Sequence, residues 1–164
     1  VEHAVALVRS HPDAAGVKIR VNASCQSEMW IDTKKVERSV YNLVLNACQA
    51  AARATSQPLV SISLTDETGW VRVRIQDNGP GVADSIRLTL FEPFVCEGKQ
   101  NGIGLGLTLA HRIAQEHLGG VALEESGPGG TVFILSLARS LRHRAEAFQG
   151  SASTTVHASP EWPN

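Results

Sequence analysis

Hydrophobic and polar positions along the chain fall into segments of either helical or strand period. Residues 1–9 carry Val1, Val5 and Val8 at helical spacing and stop at the His11-Pro12-Asp13 breaker, which predicts a short helix. Residues 17–21, Val-Lys-Ile-Arg-Val, alternate and read as a strand, with residues 28–31 as its hairpin partner across a polar stretch. Asp32 or Thr33 then caps a long helix over residues 34–53. Strands over 59–65 and 70–76 flank the Glu67-Thr68-Gly69 turn, and residues 83–90 suggest a short helix. An irregular flap over 95–101 leads into a helix over 105–117, which Gly119-Gly120 ends. Two last strands, 121–125 and 131–137, enclose a glycine-rich turn. Hairpin-linked strands mixed with helices predict an α+β fold, a two-layer sandwich with the helices on one face.

Beyond residue 138 the pattern lapses. Residues 140–149 read as a short charged helix, and 150–164, rich in Ser, Thr, Ala and Pro, as part of a flexible tail over 139–164. Trp162 in that tail is either a stray aromatic or a docking residue. Composition changes this picture little. The 164 residues fit one domain, and a formal net charge of −1 gives no overall pull toward nucleic acid or an anionic membrane. No apolar run approaches the ~20 residues that span a bilayer, and the start carries no signal-peptide pattern. Cys25, Cys48 and Cys96 are scattered and read as free thiols of a reducing, cytoplasmic compartment.

The long helix carries the first candidate chemistry. Val36, Val40, Leu43, Ala47, Ala50 and Ala51 form an apolar face, while Ser39, Asn42, Asn46, Gln49 and Arg53 form a stripe beside it. A polar stripe that flanks the core face is placed to line a cleft. Asparagine is a poor helix former, and carboxamide oxygens are hard ligands suited to Mg²⁺. A solvated face that happens to carry amides is the plainer alternative. Leu45 falls on the nominally exposed side, as if another domain covered it.

Two glycine clusters follow. Asp77 closes a strand, where its carboxylate can accept a hydrogen bond from the exocyclic amine of adenine; Gly79 and Gly81 let the backbone approach the base. In isolation, Asp77-Asn78-Gly79-Pro80-Gly81 reads equally well as an ordinary turn. Gly102, Gly104 and Gly106 open into an apolar helix, so free N–H groups and the positive end of the helix dipole meet an anion there. Lys99 adds a point charge. Neither a Rossmann strand nor a GxxxxGK[ST] loop accompanies them. Phe91 and Phe94 bracket Pro93 and anchor the flap, or are simply core. Thr131 heads a strand, as a contact to the base edge or as a plain β residue.

Taken in order, Asn42-Leu43-Val44-Leu45-Asn46-Ala47, Asp77-Asn78-Gly79-Pro80-Gly81, Phe91-Glu92-Pro93-Phe94 and Gly104-Leu105-Gly106-Leu107 closely resemble the N, first glycine, F and second glycine boxes of sensor histidine kinases. The resemblance covers residues 1–138, the catalytic ATP-binding domain of the GHKL superfamily. It implies a Bergerat-type α/β sandwich with a mixed, mostly antiparallel sheet that binds ATP with Mg²⁺ and donates the γ-phosphate to a histidine. On it, Asn46 ligates the metal with Asn42 near the phosphates, and Asp77, Gly79 and Gly81 hold adenine. Gly102, Gly104, Leu105 and Gly106 hold the phosphates under a lid. Ile103 and Gln49 depart from the family pattern, where a hydroxyl residue and a basic residue are usual; Arg53 or Lys99 would compensate for the second. The lid is short, which implies weaker ordering of nucleotide.

The hydrolysing members of the superfamily place a glutamate base where Asn42 stands, and an amide takes no proton from water. None of the six histidines lies in the His-Glu/Asp…Pro context of an acceptor. The implied partners are therefore dimerisation and phosphoacceptor helices upstream, through which the parent would form a homodimer, and a response regulator downstream. A module that senses ATP or ADP without transferring phosphate is the alternative.

Overall fold

A computed structural model describes residues 1–23, 29–95 and 104–139. Helix α1 (Glu2–Arg9) buries Ala4, Val5 and Val8. A 3₁₀ turn at Pro12–Ala14, capped by the His11 ring, leads into strand β1 (Lys18–Ala23). Helix α2 (Thr33–Ala54) starts where the Asp32 carboxylate accepts from the Lys35 N–H at 3.1 Å. Strands β2 (Leu59–Glu67) and β3 (Trp70–Asp77) form a hairpin. Residues 83–90, expected as a short helix, form a 3₁₀ segment at Asp84–Thr89. Helix α3 (Gly106–Glu116) and the hairpin of β4 (Gly120–Gly127) and β5 (Gly130–Ala138) complete the fold.

The five strands lie in the order β1-β2-β3-β5-β4, antiparallel except for β1 and β2. Strand β1 does not take the expected hairpin partner. Met29–Ile31 form no strand, Glu28 lies outside the described residues, and β1 pairs in parallel with β2 instead. Its inward residues Ile19 and Val21 align with the buried Val60 and Ile62. A parallel neighbour requires a crossover, and α2 supplies it.

One sheet face carries the alternating Val60, Ile62, Val73, Ile75, Phe133, Leu135 and Leu137, and the helices cover it. Each such side chain removed from water contributes about 1.5–3 kcal/mol. The other face carries solvated pairs such as Arg74 with Glu124, at 3.0 Å. From α2, Val40, Leu43, Val44, Ala47, Cys48 and Ala51 fill the space between sheet and helices. Leu45 is half-buried and lines a cleft beside the helix. Among the described residues no helix is long and apolar enough to cross a membrane. The expected helix over 140–149 and the rest of the tail to 164 lie outside the described residues, as do Cys25 and Cys96.

Candidate functional site

The cleft opens between α2, the end of β3, the start of β5 and the start of α3, and measures about 490 Å³. Small-molecule sites typically run from about 300 to 1,000 Å³. Its floor is Asp77, the last residue of β3, which is 3% exposed. The Gly79 N–H donates to Asp77 Oδ1 at 2.7 Å and the Thr131 N–H to the same oxygen at 3.3 Å. Both bonds fall on Oδ1, so Oδ2 is the oxygen left to meet a donor in the cleft. Burial pushes the Asp77 carboxyl above the usual carboxylate range, and the Gly79 and Thr131 N–H groups pull it partly back. Cys48, buried behind it, has its thiol pushed up to about 11 by desolvation and by the Asp77 charge, which keeps it unreactive.

Local backbone explains why this loop holds its shape. A Cβ on Gly79 would sit 2.9 Å from the Ala50 carbonyl carbon and 2.7 Å from Asp77 Oδ1, so no side chain fits. Gly81 has φ +86° and packs on the Gly127 carbonyl, a conformation that favours glycine. Asn78 points the other way. Its Oδ1 accepts from the Leu59 N–H at 2.9 Å and its Nδ2 donates to the Gln57 carbonyl at 3.0 Å, clamping the turn to the start of β2. That brace went unread in the sequence, where an Asn-Gly pair signals a turn but not what the amide grips.

At the other end α2 presents Asn42, Asn46, Gln49 and Arg53 to the cleft. Ser39, from the same stripe, is buried against α3 instead and donates to the Ala110 carbonyl at 3.2 Å. Asn42 Nδ2 is buried with no hydrogen-bond partner among the described residues. A buried amide donor left unpaired costs stability unless a ligand meets it, and a phosphate oxygen is a suitable acceptor. Gln49 Nε2 is committed to Asp13 Oδ2 at 2.7 Å, which leaves exposed Arg53 as the cation on this rim among the described lining residues. Gly104, Leu105 and Gly106 line the same end. No side chain caps α3, and no acidic residue stands in its first turn, so its free N–H groups are offered to an anion. Lys99 and Gly102, assigned to the phosphates, lie outside the described residues, as does most of the flap.

The two phenylalanines part company. Phe91 stacks on His111 with centroids 4.8 Å apart and meets the cleft-lining Phe133 edge-on at 6.5 Å. Phe94 is 70% exposed with φ 66°, bound through its N–H to the Gly104 carbonyl at 3.2 Å, so it is neither core nor a hydrophobic anchor. Metal chemistry is constrained in a similar way. Among the described residues no three His, Cys, Asp or Glu side chains gather to hold an ion. A divalent cation in this cleft would need phosphate oxygens and water to complete its shell, with an amide carbonyl such as that of Asn46 as protein ligand, and this fits Mg²⁺.

The described histidines all have structural tasks. His3 faces Glu37 at 2.8 Å, His11 caps the 3₁₀ turn, His111 accepts from the Val121 N–H at 3.4 Å, and His117 bridges α3 and the start of α2. His143 and His157 lie outside the described residues.

A mixed five-stranded sheet covered on one face by helices is an α+β fold shared with the catalytic domain of a histidine kinase. Residues 31–141 match the profile of the "Histidine kinase-, DNA gyrase B-, and HSP90-like ATPase" family, and the chain belongs to that family. It is 30% identical over 141 residues to the C4-dicarboxylate transport sensor protein DctB of Rhizobium meliloti, covering 85% of this chain and 22% of that one. It is 46% identical over 67 residues to the sensory histidine kinase/phosphatase NtrB of Rhodobacter capsulatus, covering 41% and 18%. The catalytic domain of histidine kinase ThkA superposes with a TM-score of 0.71 at 23% identity, over 84% of this chain and 89% of that one. The chain thus spans about a fifth of the length of these two curated relatives.

Proposed function

We propose that this chain, as a catalytic unit over residues 1–138, binds ATP with Mg²⁺ and donates the γ-phosphate to a histidine on separate dimerisation and phosphoacceptor helices. The parent would be a cytoplasmic or membrane-anchored two-component kinase that dimerises through those helices and feeds a response regulator. The observation that carries the reading is the placement of Asp77. A buried carboxylate, braced on one oxygen, sits at the floor of a cleft whose far end offers Asn42, Asn46 and the free N–H groups of α3. Oδ2 accepts from a purine amine at one end, and the amides and helix start hold the phosphates at the other.

The lining supports transfer over hydrolysis. Asp77 is the single carboxylate among the described lining residues and stands at the purine end. Asn42 and Asn46 hold and orient oxygens but take no proton from water. A neutral imidazole brings its own lone pair: the new N–P bond forms as the bond to the β-phosphate oxygen breaks, and ADP leaves. The protein's share is positioning and electrostatic stabilisation.

The test mixes the chain with its parent's helical fragment, labelled ATP and Mg²⁺. Acid-labile phosphate on a histidine of the helices is the expected result. Tight nucleotide binding with no transfer would replace the kinase by a nucleotide sensor, and absence of binding would end both readings.

A further inference from the structure

Helices α2 and α3 run antiparallel, and a ladder of contacts joins them. At the end remote from the cleft, the Asp32 N–H donates to His117 Nε2 at 3.1 Å and Lys35 Nζ bonds Glu116 Oε2 at 2.7 Å. Ser39 holds the Ala110 carbonyl midway, and at the near end Gly106 faces Asn42. The remote polar ties and the phosphate end of the cleft are therefore opposite ends of one helix pair. Any change in the angle between these helices moves the Asn42 and Asn46 amides relative to the α3 N-terminus.

His117 occupies the junction. It caps α3, and its Nδ1 lies 2.8 Å from the Ile113 carbonyl, a distance at which that nitrogen donates. With Nδ1 carrying the proton, Nε2 is the acceptor that the Asp32 N–H requires, so the two bonds select one neutral tautomer. The His117 carbonyl also accepts from the Ala138 N–H of β5 at 3.2 Å. One residue thus ties the end of α3, the N-cap of α2 and the end of β5. The charged groups around it are Asp32 and Lys35 from α2, Arg112 and Glu116 from α3, and Arg139 after β5, which pairs with Asp66.

We propose that His117 is a positioning residue for nucleotide: its neutral ring fixes α2 against α3, and its protonation loosens the phosphate end of the cleft. A proton on Nε2 turns the acceptor into a donor facing the Asp32 N–H, and the bond is lost. Asp32 is the N-cap, so the released segment is the start of the helix that carries Asn42 and Asn46. The inference rests on the cleft being the ATP site, and it adds a pH-dependent control at a residue outside the cleft lining.

The experiment titrates the full chain with a non-hydrolysable ATP analogue and Mg²⁺ between about pH 8 and about pH 5.5, spanning the range where histidine titrates. Wild type, His117→Ala and His117→Gln are compared. His117→Ala removes both ring hydrogen bonds, and loss of the one to the Asp32 N–H predicts binding weaker by up to about fivefold at the upper pH. Glutamine offers both a donor and an acceptor without titrating, so His117→Gln should restore affinity there and lose affinity less steeply on acidification than wild type. Wild-type affinity in His117→Ala, or a wild-type pH profile in His117→Gln, would overturn the role of His117 while leaving the cleft assignment intact. If His117→Ala does not fold, the glutamine profile decides alone. A wild-type protein that takes up no analogue at the upper pH overturns the cleft reading and this inference with it.

Discussion

At the scale of single residues, Asp77 shows a conflict between stability and binding. Its carboxyl is held above the usual range by burial, so the folded state keeps the proton more tightly than the unfolded chain does. The stability this group contributes is present at low pH and lost as pH rises through its folded value; beyond that the bare carboxylate is a cost. Asn at this position keeps an oxygen to accept from Gly79 and Thr131 but would turn a donor toward the amine of a bound purine. Asp77→Asn should therefore melt at or above the wild-type temperature at neutral pH without ligand. It should bind an ATP analogue roughly 10- to 100-fold more weakly, the scale of a hydrogen bond to a charged group. Calorimetry beside a thermal melt checks both, and unchanged affinity would remove Asp77 from the purine site. Asn46→Asp should alter the Mg²⁺ dependence of the same titration, and indifference to Mg²⁺ removal would undo its role as ligand. That Asp77, Asn42 and Asn46 share one cleft was legible because their identities and order carry the signal. The tie between Gln49 and Asp13, and the grip of Asn78 on Leu59, were not, because pairs separated by 36 and 19 positions leave no local trace.

Among the elements, α2 was readable nearly end to end. Its cap, its apolar face and most of its polar stripe follow from a period of about 3.6 residues, and four of the five stripe residues line the cleft. Strand β1 was readable as a strand but not as a neighbour. Alternation reports that one face is buried and says nothing about which strand lies alongside, so sequence proximity favoured residues 28–31 where the sheet uses β2. The end of α3 differs in kind as well: Leu118, not a glycine, takes the left-handed conformation with φ 59° just beyond His117. The cap of α2 can be tested separately from the His117 bond, since Asp32 contributes its side chain to one and its backbone to the other. Asp32→Ala should cost about 1 kcal/mol in chemical denaturation, the usual value of an N-cap. A loss well below that would mean the remaining α2–α3 contacts fix the helix start without it.

For the molecule as a whole, the cleft draws on α2, α3, β3 and β5, so a ligand there touches elements from both halves of the sequence. These elements also bear the core, in which Leu43, Ile75, Leu135 and Ala114 are buried. Unfolding of any one of them dismantles the site, and binding must then stabilise the whole domain by mass action. At a ligand concentration a hundred times Kd the linkage gives about 2.7 kcal/mol. For a domain of this size that corresponds to a rise in Tm of roughly 5–10 °C. The rise should require Mg²⁺ together with ATP, shrink in Asn46→Asp, and fall in Asp77→Asn at the same nucleotide concentration to between about a half and about a seventh of the wild-type value. A melt in which saturating Mg-ATP leaves Tm where it was would mean that the folded domain does not bind the nucleotide, and the assignment of the cleft to Mg-ATP would fall with it.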